Sequence, residues 1–395
     1  NSLLAMADSA QAVAVVKPLL QQSQILACKY DTVITNPPYM GGSGMNENLS
    51  RFVKENYPDS KSDLFACFIE RGNTMVKTNG LNCMVTMQSW MFLSSFEKMR
   101  CHILKTKDIV CLMHMENMVL GIAFGTAVTI FKNTHIHGYK GTYNQIKLCD
   151  IENEVPKNFP VSENRFSQVS TDNFSKIPGA PVAYWVSERL IDNFEKGISV
   201  DDISDFTGSQ HITADNDKYL RFIWEIEREK IGKKKSWAQY AKGGEFRKWY
   251  GNVLLCVCTT PEAMQFYKIN STSNCLDAKY WFTEGITYSA VTSKGTGFRY
   301  FPAVGAFDKG GATLCYVEHL EYVLSLLNSK VAQYFFDFLN PTINLQVKDV
   351  KSIPVILNKE GEQIVFVIAQ KAINTSKSDW DDIETSWDFK KHPMI

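Results

Sequence analysis

The chain has 395 residues, 45% of them hydrophobic and 12% aromatic, which is enough to bury cores in two or three domains and excludes a disordered protein. Lys plus Arg and Asp plus Glu both number 42, so no overall basic excess announces nucleic-acid binding, and any such footprint must be local. Ten cysteines without a Cys-x-x-Cys pair read as reduced core residues of a cytoplasmic protein, no metal site is expected, and no apolar run reaches the length of a membrane span.

Residues 1 to 27 carry Leu3, Leu4, Ala7, Val13, Val16, Leu19, Leu20 and Ile25 between polar residues, a pattern that predicts one or two helices packing on a sheet. Tyr30-Asp31-Thr32-Val33-Ile34-Thr35 follows as a strand, and it halts at Asn36-Pro37-Pro38-Tyr39, where two prolines remove ladder donors. In an open α/β sheet ligands lie beyond the carboxyl ends of the strands, so this corner is placed for chemistry. The chemistry it suits is group transfer to a planar NH2. Such an amine has its lone pair delocalised and becomes nucleophilic only when acceptors hold its hydrogens. Asn36 offers a side-chain oxygen, Pro37 a backbone carbonyl directed by the fixed angles of Pro37 and Pro38, and Tyr39 a face for a flipped-out base. The same four residues also suit a rigid turn. The preceding strand and the Gly41-Gly42-Ser43-Gly44 loop favour the site.

Beyond the loop, Glu47 to Tyr57 reads as a helix, Asp63 caps a second helix through Lys77 ending at Asn79-Gly80, and Leu81 to Thr86 is a strand. Gln88 to Arg100 opens the next helix, Ile109 to Met113 and Thr126 to Phe131 are strands, and the alternation gives an α/β sheet closing in an antiparallel hairpin. His102 and His114 fall on separate elements without carboxylate partners and read as structural or surface residues. Ile151 to Lys176 is polar and predicts an extended connector. Between Lys218 and Tyr250 ten Lys or Arg face four Glu, with eight aromatic residues interleaved, the composition of a local DNA-contact surface rather than a solvated helix face. A strand-rich region runs to about Val317. Glu318 to Leu339 predicts one long amphipathic helix stopped by Asn340-Pro341-Thr342, and Ile364 to Ile373 the start of another helix, while Lys348 to Val355 resembles the closing strand of type I and type IIG recognition domains.

Asn36-Pro37-Pro38-Tyr39 resembles motif IV of the S-adenosylmethionine-dependent amino-methyltransferases. The stretches Met40 to Asn46, Asn56 to Leu64, Gln88 to Arg100, Ile177 to Val186, Lys242 to Gly251 and Asp379 to Phe389 resemble, more narrowly, the adenine-specific DNA methyltransferases of the PglX type found in BREX phage defence, with type IIG restriction-modification enzymes as relatives. Thr213-Ala214-Asp215-Asn216 resembles a Thr-Gly-Asp-Asn turn of that family, with Ala214 where the family has glycine. The resemblance implies part of a class I, Rossmann-like methyltransferase sheet with its connector over residues 1–180. It further implies an α+β DNA target-recognition domain over 181–356 and the start of a helical spacer over 357–395.

It implies N6-methylation of a flipped adenine in double-stranded DNA, with S-adenosylmethionine as cofactor, Asn36, Pro37, Pro38 and Tyr39 as the catalytic corner, and other phage-defence proteins as partners. DNA contacts are expected from Asp215, Asn216, Arg221, Lys242, Gly243, Gly244, Arg247, Lys248, Trp249, Tyr250 and Arg299. The family's glycine-rich cofactor turn has no counterpart, since no glycine precedes Gly41. The chain is therefore expected to be a fragment, truncated at both ends, whose cofactor half is missing or supplied in trans. Two alternatives stand beside this reading. A type IIG endonuclease fused to its methylase would need a nuclease elsewhere, because no Glu-x-Lys occurs here. A non-catalytic, sequence-specific DNA-binding subunit of a defence complex is the other.

Overall fold

The computed structural model describes residues 2–153, 155–162, 166–206, 210–291, 295–340, 345–392 and 394, with side chains from residue 12 onward. The chain forms two compact units, residues 1–191 and 192–395. The expected stop at Pro341 and Thr342, and the side chains of Leu3, Leu4 and Ala7, lie outside the described residues.

The first unit opens with α1 (Ser2–Ala27) and β1 (Tyr30–Thr35). The helix is present but does not pack on the sheet: Val13, Val15, Val16, Leu19, Leu20, Ile25 and Leu26 are 48–64% exposed. Its apolar residues spread around the helix instead of forming one stripe, so no single face can be buried by one layer. Then come α2 (Glu47–Asn56), α3 (Leu64–Met75), β2 (Val76–Met87), α4 (Glu97–Thr106), β3 (Asp108–Met115), β4 (Thr126–Lys132) and β5 (Lys140–Ile146). A two-residue ribbon, β6 (Ile151–Glu152) with β7 (Val155–Pro156), precedes β8 (Phe166–Ser170). The sheet order is β1-β2-β4-β3-β5-β8, with β1 parallel to β2 and β4 inserted antiparallel between β2 and β3. This is the expected α/β sheet with a hairpin, on which α3 and α4 close a core around Phe65, Ile69, Trp90, Ile103 and Phe131. Each such fully buried side chain contributes about 1.5–3 kcal/mol.

Four local expectations are corrected. Helix α3 ends at Met75, and the strand begins at Val76 with Asn79 (φ 64°) bulged out of register. Gly80 is required there because a Cβ would lie 2.9 Å from the Asp31 carbonyl. The α-helix after Gln88 starts only at Glu97, following two 3-10 turns. The reason is Arg100, fully buried, whose Nη1 donates to the carbonyls of Trp90 and Leu93 at 2.8 and 2.9 Å, so these cannot serve an α-helical ladder. The extended connector carries short strands and ends in a 3-10 turn. Strand β8 joins the sheet edge, and the turn after it is clasped through His135, which bridges Asp108 and Asp172.

In the second unit α5 (Glu188–Lys196) crosses the unit boundary, and β9 (Ile198–Ser199) pairs with the late strand β17 (Pro354–Val355). After the short α6 (Asn216–Tyr219), β10 (Leu220–Phe222), β11 (Trp237–Ala241), β12 (Leu255–Cys258) and β15 (Gly305–Phe307) make one sheet, in the order β10-β12-β11-β15. Helix α7 (Pro261–Ile269) leads to the second sheet of β13 (Gly285–Tyr288), β14 (Phe298–Phe301) and β16 (Thr313–Cys315). The single long helix expected over Glu318–Leu339 is two, α8 (Leu320–Leu327) and α9 (Lys330–Leu339). Asn328 breaks it because its amide pairs with both backbone groups of Phe298 (3.0 and 2.9 Å), and Ser329 caps the next helix by accepting from the Ala332 amide. The expected strand over Lys348–Val355 is mostly α10 (Val347–Lys351), nucleated by Asp349, which accepts from the Gln346 amide. The chain then forms α11 (Glu362–Asp381), which packs on α8. No helix among the described residues is long and apolar enough to cross a membrane.

Candidate active site

The corner forms where β1 ends. Its neighbour β2 runs parallel and continues three residues past the Thr35–Met84 pair, so the backbone of Val85 stands beside the turn. The Tyr39 hydroxyl lies 3.2 Å from Asn36 Oδ1 and 3.1 Å from the Val85 carbonyl, and its one proton serves both acceptors. Pro37 is buried beneath the turn, Asn36 and Pro38 are exposed, and Tyr39 is half-buried. Burial raises the Tyr39 phenol, which stays protonated and donates.

The following loop is fixed from below by Asp63. Its Oδ1 accepts from the Met40 amide at 3.0 Å and from Phe65 at 3.3 Å as the N-cap of α3, and the Leu64 amide donates back to the Met40 carbonyl. Tyr39 meets Phe65 edge-on at 6.0 Å. A second ring, Phe124, meets it edge-on at 5.7 Å from the β3–β4 loop. The sequence reading missed Phe124, although an aromatic-Gly pair directly before the Thr126 strand was the available signal. The corner therefore presents one side-chain carbonyl with a free lone pair and two half-buried rings at one end of the sheet.

Histidines 102 and 114 separate as expected. His102 is exposed, whereas His114 is buried between Gln88 Oε1 on Nε2 and the Tyr184 hydroxyl on Nδ1, and stacks on Trp185. Burial lowers it to about 4, with Glu116 opposing, so it is neutral. Among the described residues no cluster of His, Cys, Asp and Glu could hold a metal.

In the second unit the expected DNA-contact residues are dispersed. Ala214 adopts φ 60°, the left-handed conformation in which glycine costs least, so the Thr213–Asn216 turn keeps its geometry with an alanine. Asp215 caps α6 by accepting from the Lys218 amide, Asn216 Oδ1 accepts from the Thr213 hydroxyl at 2.7 Å, and Arg221 Nη1 binds the carbonyls of Asp217 and Leu220. Lys242, Gly243 and Gly244 line a cleft of about 580 Å³ with Phe222, Tyr240 and Trp380. Gly243 (φ 82°) must be glycine, since a Cβ would meet the Gly310 carbonyl at 2.6 Å.

Arg247 turns the other way. It donates to the carbonyls of Tyr250 and Ser376, pairs with Asp379 at 2.5 Å and covers the Trp380 ring. Lys248 donates to the Asn328 carbonyl at 2.8 Å. Arg299 is buried, bound to the Arg247 and Gly297 carbonyls and to Ser289 Oγ, and desolvation lowers it to about 10. Trp249 (φ 71°) bridges to β14 beside it, and Tyr250 borders a separate cleft of about 670 Å³ with Tyr300 and Tyr316. Asp215, Asn216 and Arg221 line neither cleft. Exposed instead are the lysines 233–235, and Phe222 and Trp224, stacked at 4.5 Å.

With this geometry in place, comparison with known proteins gives the following. The Eco57I restriction-modification methylase family model matches residues 7–119. The chain is 37% identical, over 98% of its length, to the adenine-specific methyltransferase BrxX of Escherichia coli O9:H4 (strain HS). It is 30% identical, over 96%, to the adenine-specific methyltransferase PglX of Lacticaseibacillus casei (strain Zhang). It covers 32% and 34% of those proteins, so the chain spans about a third of the length of the curated relatives it matches. The type IIL restriction-modification enzyme MmeI, solved in complex with DNA, aligns over 92% of this chain and 52% of its own with a TM-score of 0.54 and 12% identity, which shows a shared fold.

Proposed function

We propose that this chain, similar along almost its whole length to adenine-specific methyltransferases, carries the base-accepting corner and the target-recognition part of a DNA adenine-N6 methyltransferase acting in phage defence or restriction-modification. The observation that carries the reading is the Asn36–Tyr39 corner at the carboxyl end of β1, with an exposed amide oxygen flanked by the rings of Tyr39 and Phe124. An adenine extruded from the duplex stacks against the aromatic pair. Asn36 Oδ1 and the Pro37 carbonyl accept its N6 hydrogens, drawing the amine lone pair out of the ring; a methyl donor, when bound, would supply the methyl group, its S–C bond breaking as the N–C bond forms and the N6 proton leaving to solvent. The transfer is direct, so no cysteine serves as nucleophile.

S-adenosylmethionine is the methyl donor this reading requires. The residues present do not build a cradle for it: before the corner the described chain offers only α1 and the edge strand β1, with no glycine at which backbone could approach a ligand closely. Double-stranded DNA is the partner of the second unit.

Methylome sequencing of cells with and without the full-length gene tests the assignment. N6-methyladenine confined to one short sequence context, and lost with the gene, is the expected result. Unchanged methylation, or methylcytosine in its place, overturns it.

A further inference from the structure

Behind the aromatic pair lies a polar chain that the function above does not use. Gln88 follows directly on β2, and its amide donates to the Gly125 carbonyl at 3.0 Å, extending the β2–β4 ladder by one bond. Its side chain crosses the face of Gly125 so closely that a Cβ there would sit 2.4 Å from Gln88 Cδ. Gly125 is the neighbour of Phe124, so the Gln88 side chain fixes the backbone that aims the Phe124 ring at Tyr39.

Gln88 is itself held. Its Oε1 can only accept, so His114 Nε2 carries the proton, and Nδ1 accepts from the Tyr184 hydroxyl at 3.3 Å. Every link in this order has one donor and one acceptor, and the imidazole is neutral. The far end is rigid. Tyr184 stacks on Tyr143 at 5.1 Å, and the segment that carries it is pinned by the Val182 amide on the Met91 carbonyl and by Arg100 on the Gly179 and Ala180 carbonyls. Buried polar groups such as His114 and the Tyr184 hydroxyl are costly in an apolar core unless paired.

We propose that Gln88, His114 and Tyr184 are positioning residues: a neutral hydrogen-bonded relay that holds Phe124 against Tyr39 and so sets the aromatic wall on which the target base stacks. The inference rests on the methyltransferase reading. It adds three residues of the first unit that act on the base only through Phe124.

The test uses the full-length protein, duplex DNA with 2-aminopurine at the target position, and S-adenosylmethionine. Tyr184→Phe removes one hydroxyl without changing shape. His114→Phe removes both histidine bonds and Phe124→Ala the wall. Fluorescence per folded molecule, kcat and KM for each substrate are measured with the melting temperature. His114→Phe is expected to lower kcat about tenfold and to reduce the fluorescence of the extruded base, with KM for S-adenosylmethionine unchanged. Tyr184→Phe is expected to do so about threefold. Because the relay acts through one ring, adding His114→Phe to Phe124→Ala costs nothing further.

Losses that multiply in the double variant, or a fall in melting temperature with normal fluorescence and kcat per folded molecule, overturn the relay. If Phe124→Ala is silent while Asn36→Ala abolishes transfer, the relay falls and the methyltransferase reading stands. If Asn36→Ala is also silent, that reading falls too.

Discussion

The Asn36–Tyr39 corner, stiffened by two prolines, and the Lys242–Tyr250 loop, flexed by two glycines, are both short signatures, but they dispose of their polar groups differently. The corner buries its scaffold, Pro37 and the Asp63 cap beneath it, and leaves the Asn36 oxygen exposed. The loop engages two of its three cations inside the fold: Arg247 is bound to α11 and Lys248 to Asn328, while Lys242 borders the cleft beside Phe222, and it is the carbonyl of Arg247 that Arg299 holds. A basic residue whose donors already serve carbonyls has little left to offer a phosphate. Arg247 and Lys248 are thus accounted for by contacts inside the fold, whereas the exposed Asn36 side chain is not.

The largest expected effect breaks this comparison on the loop side. Arg299→Ala takes the guanidinium from the Arg247 and Gly297 carbonyls and opens a cavity, at about 1–3 kcal/mol per acceptor. The second unit should lose several kcal/mol and melt early. Arg247→Ala, at a half-exposed site, should destabilise less and leave the salt dependence of DNA binding unchanged. A flattened log-log slope for that variant would show that Arg247 does reach a phosphate.

On the corner side, Asn36→Ala is expected to lower methyl transfer by the full-length protein at least about 100-fold while DNA affinity stays within a few-fold. Tritium transfer and gel-shift titration on the same preparations separate the two. Tyr39→Ala should weaken retention of the extruded base by roughly 1–3 kcal/mol, with Tyr39→Phe milder.

Much of the first unit was legible because its strands are apolar and β-branched runs separated by polar turns, β1 being ended by two prolines, although the strand limits shifted by several residues at β2. The parts that were not legible depend on distant partners. Nothing in the local sequence of Gln88–Phe96 says that Arg100 will take the carbonyls of Trp90 and Leu93, and nothing local to Asn328 says that its side chain will pair with the backbone of Phe298. Composition counts charges, but only tertiary structure shows which donors are already engaged. Phe124 was missed because its role comes from proximity to Tyr39 across some 85 positions of sequence.

A pH titration sharpens the comparison further, since each unit carries one buried neutral histidine. Desolvation lowers both His114 and His211 to about 4 from 6.5. The unfolded chain therefore binds a proton first as the pH drops, so stability is retained above about 6.5 and is lost progressively between about 6.5 and 4. The loss is about 3 kcal/mol for each histidine. Replacing His114 by Phe should remove that slope from the first unit alone, read as two transitions in acid denaturation followed by hydrogen exchange.

The smallest effect concerns the cations that remain available. Lysines 233–235 sit at an exposed turn before β11, with Lys234 at φ 62°, and none pairs with a carboxylate among the described residues. Their ammonium groups can meet a phosphate without breaking a bond inside the fold. Changing all three to Gln should leave the melting temperature within about 1 °C, because exposed substitutions away from caps and cores cost at most about 0.5 kcal/mol. It should flatten the salt dependence of DNA binding by up to about 0.9 log-log units for each phosphate no longer neutralised, and weaken all DNA sequences alike. If the slope is unchanged, the footprint lies elsewhere, and the cleft bounded by Lys242, Gly243, Gly244 and Phe222 becomes the next surface to vary.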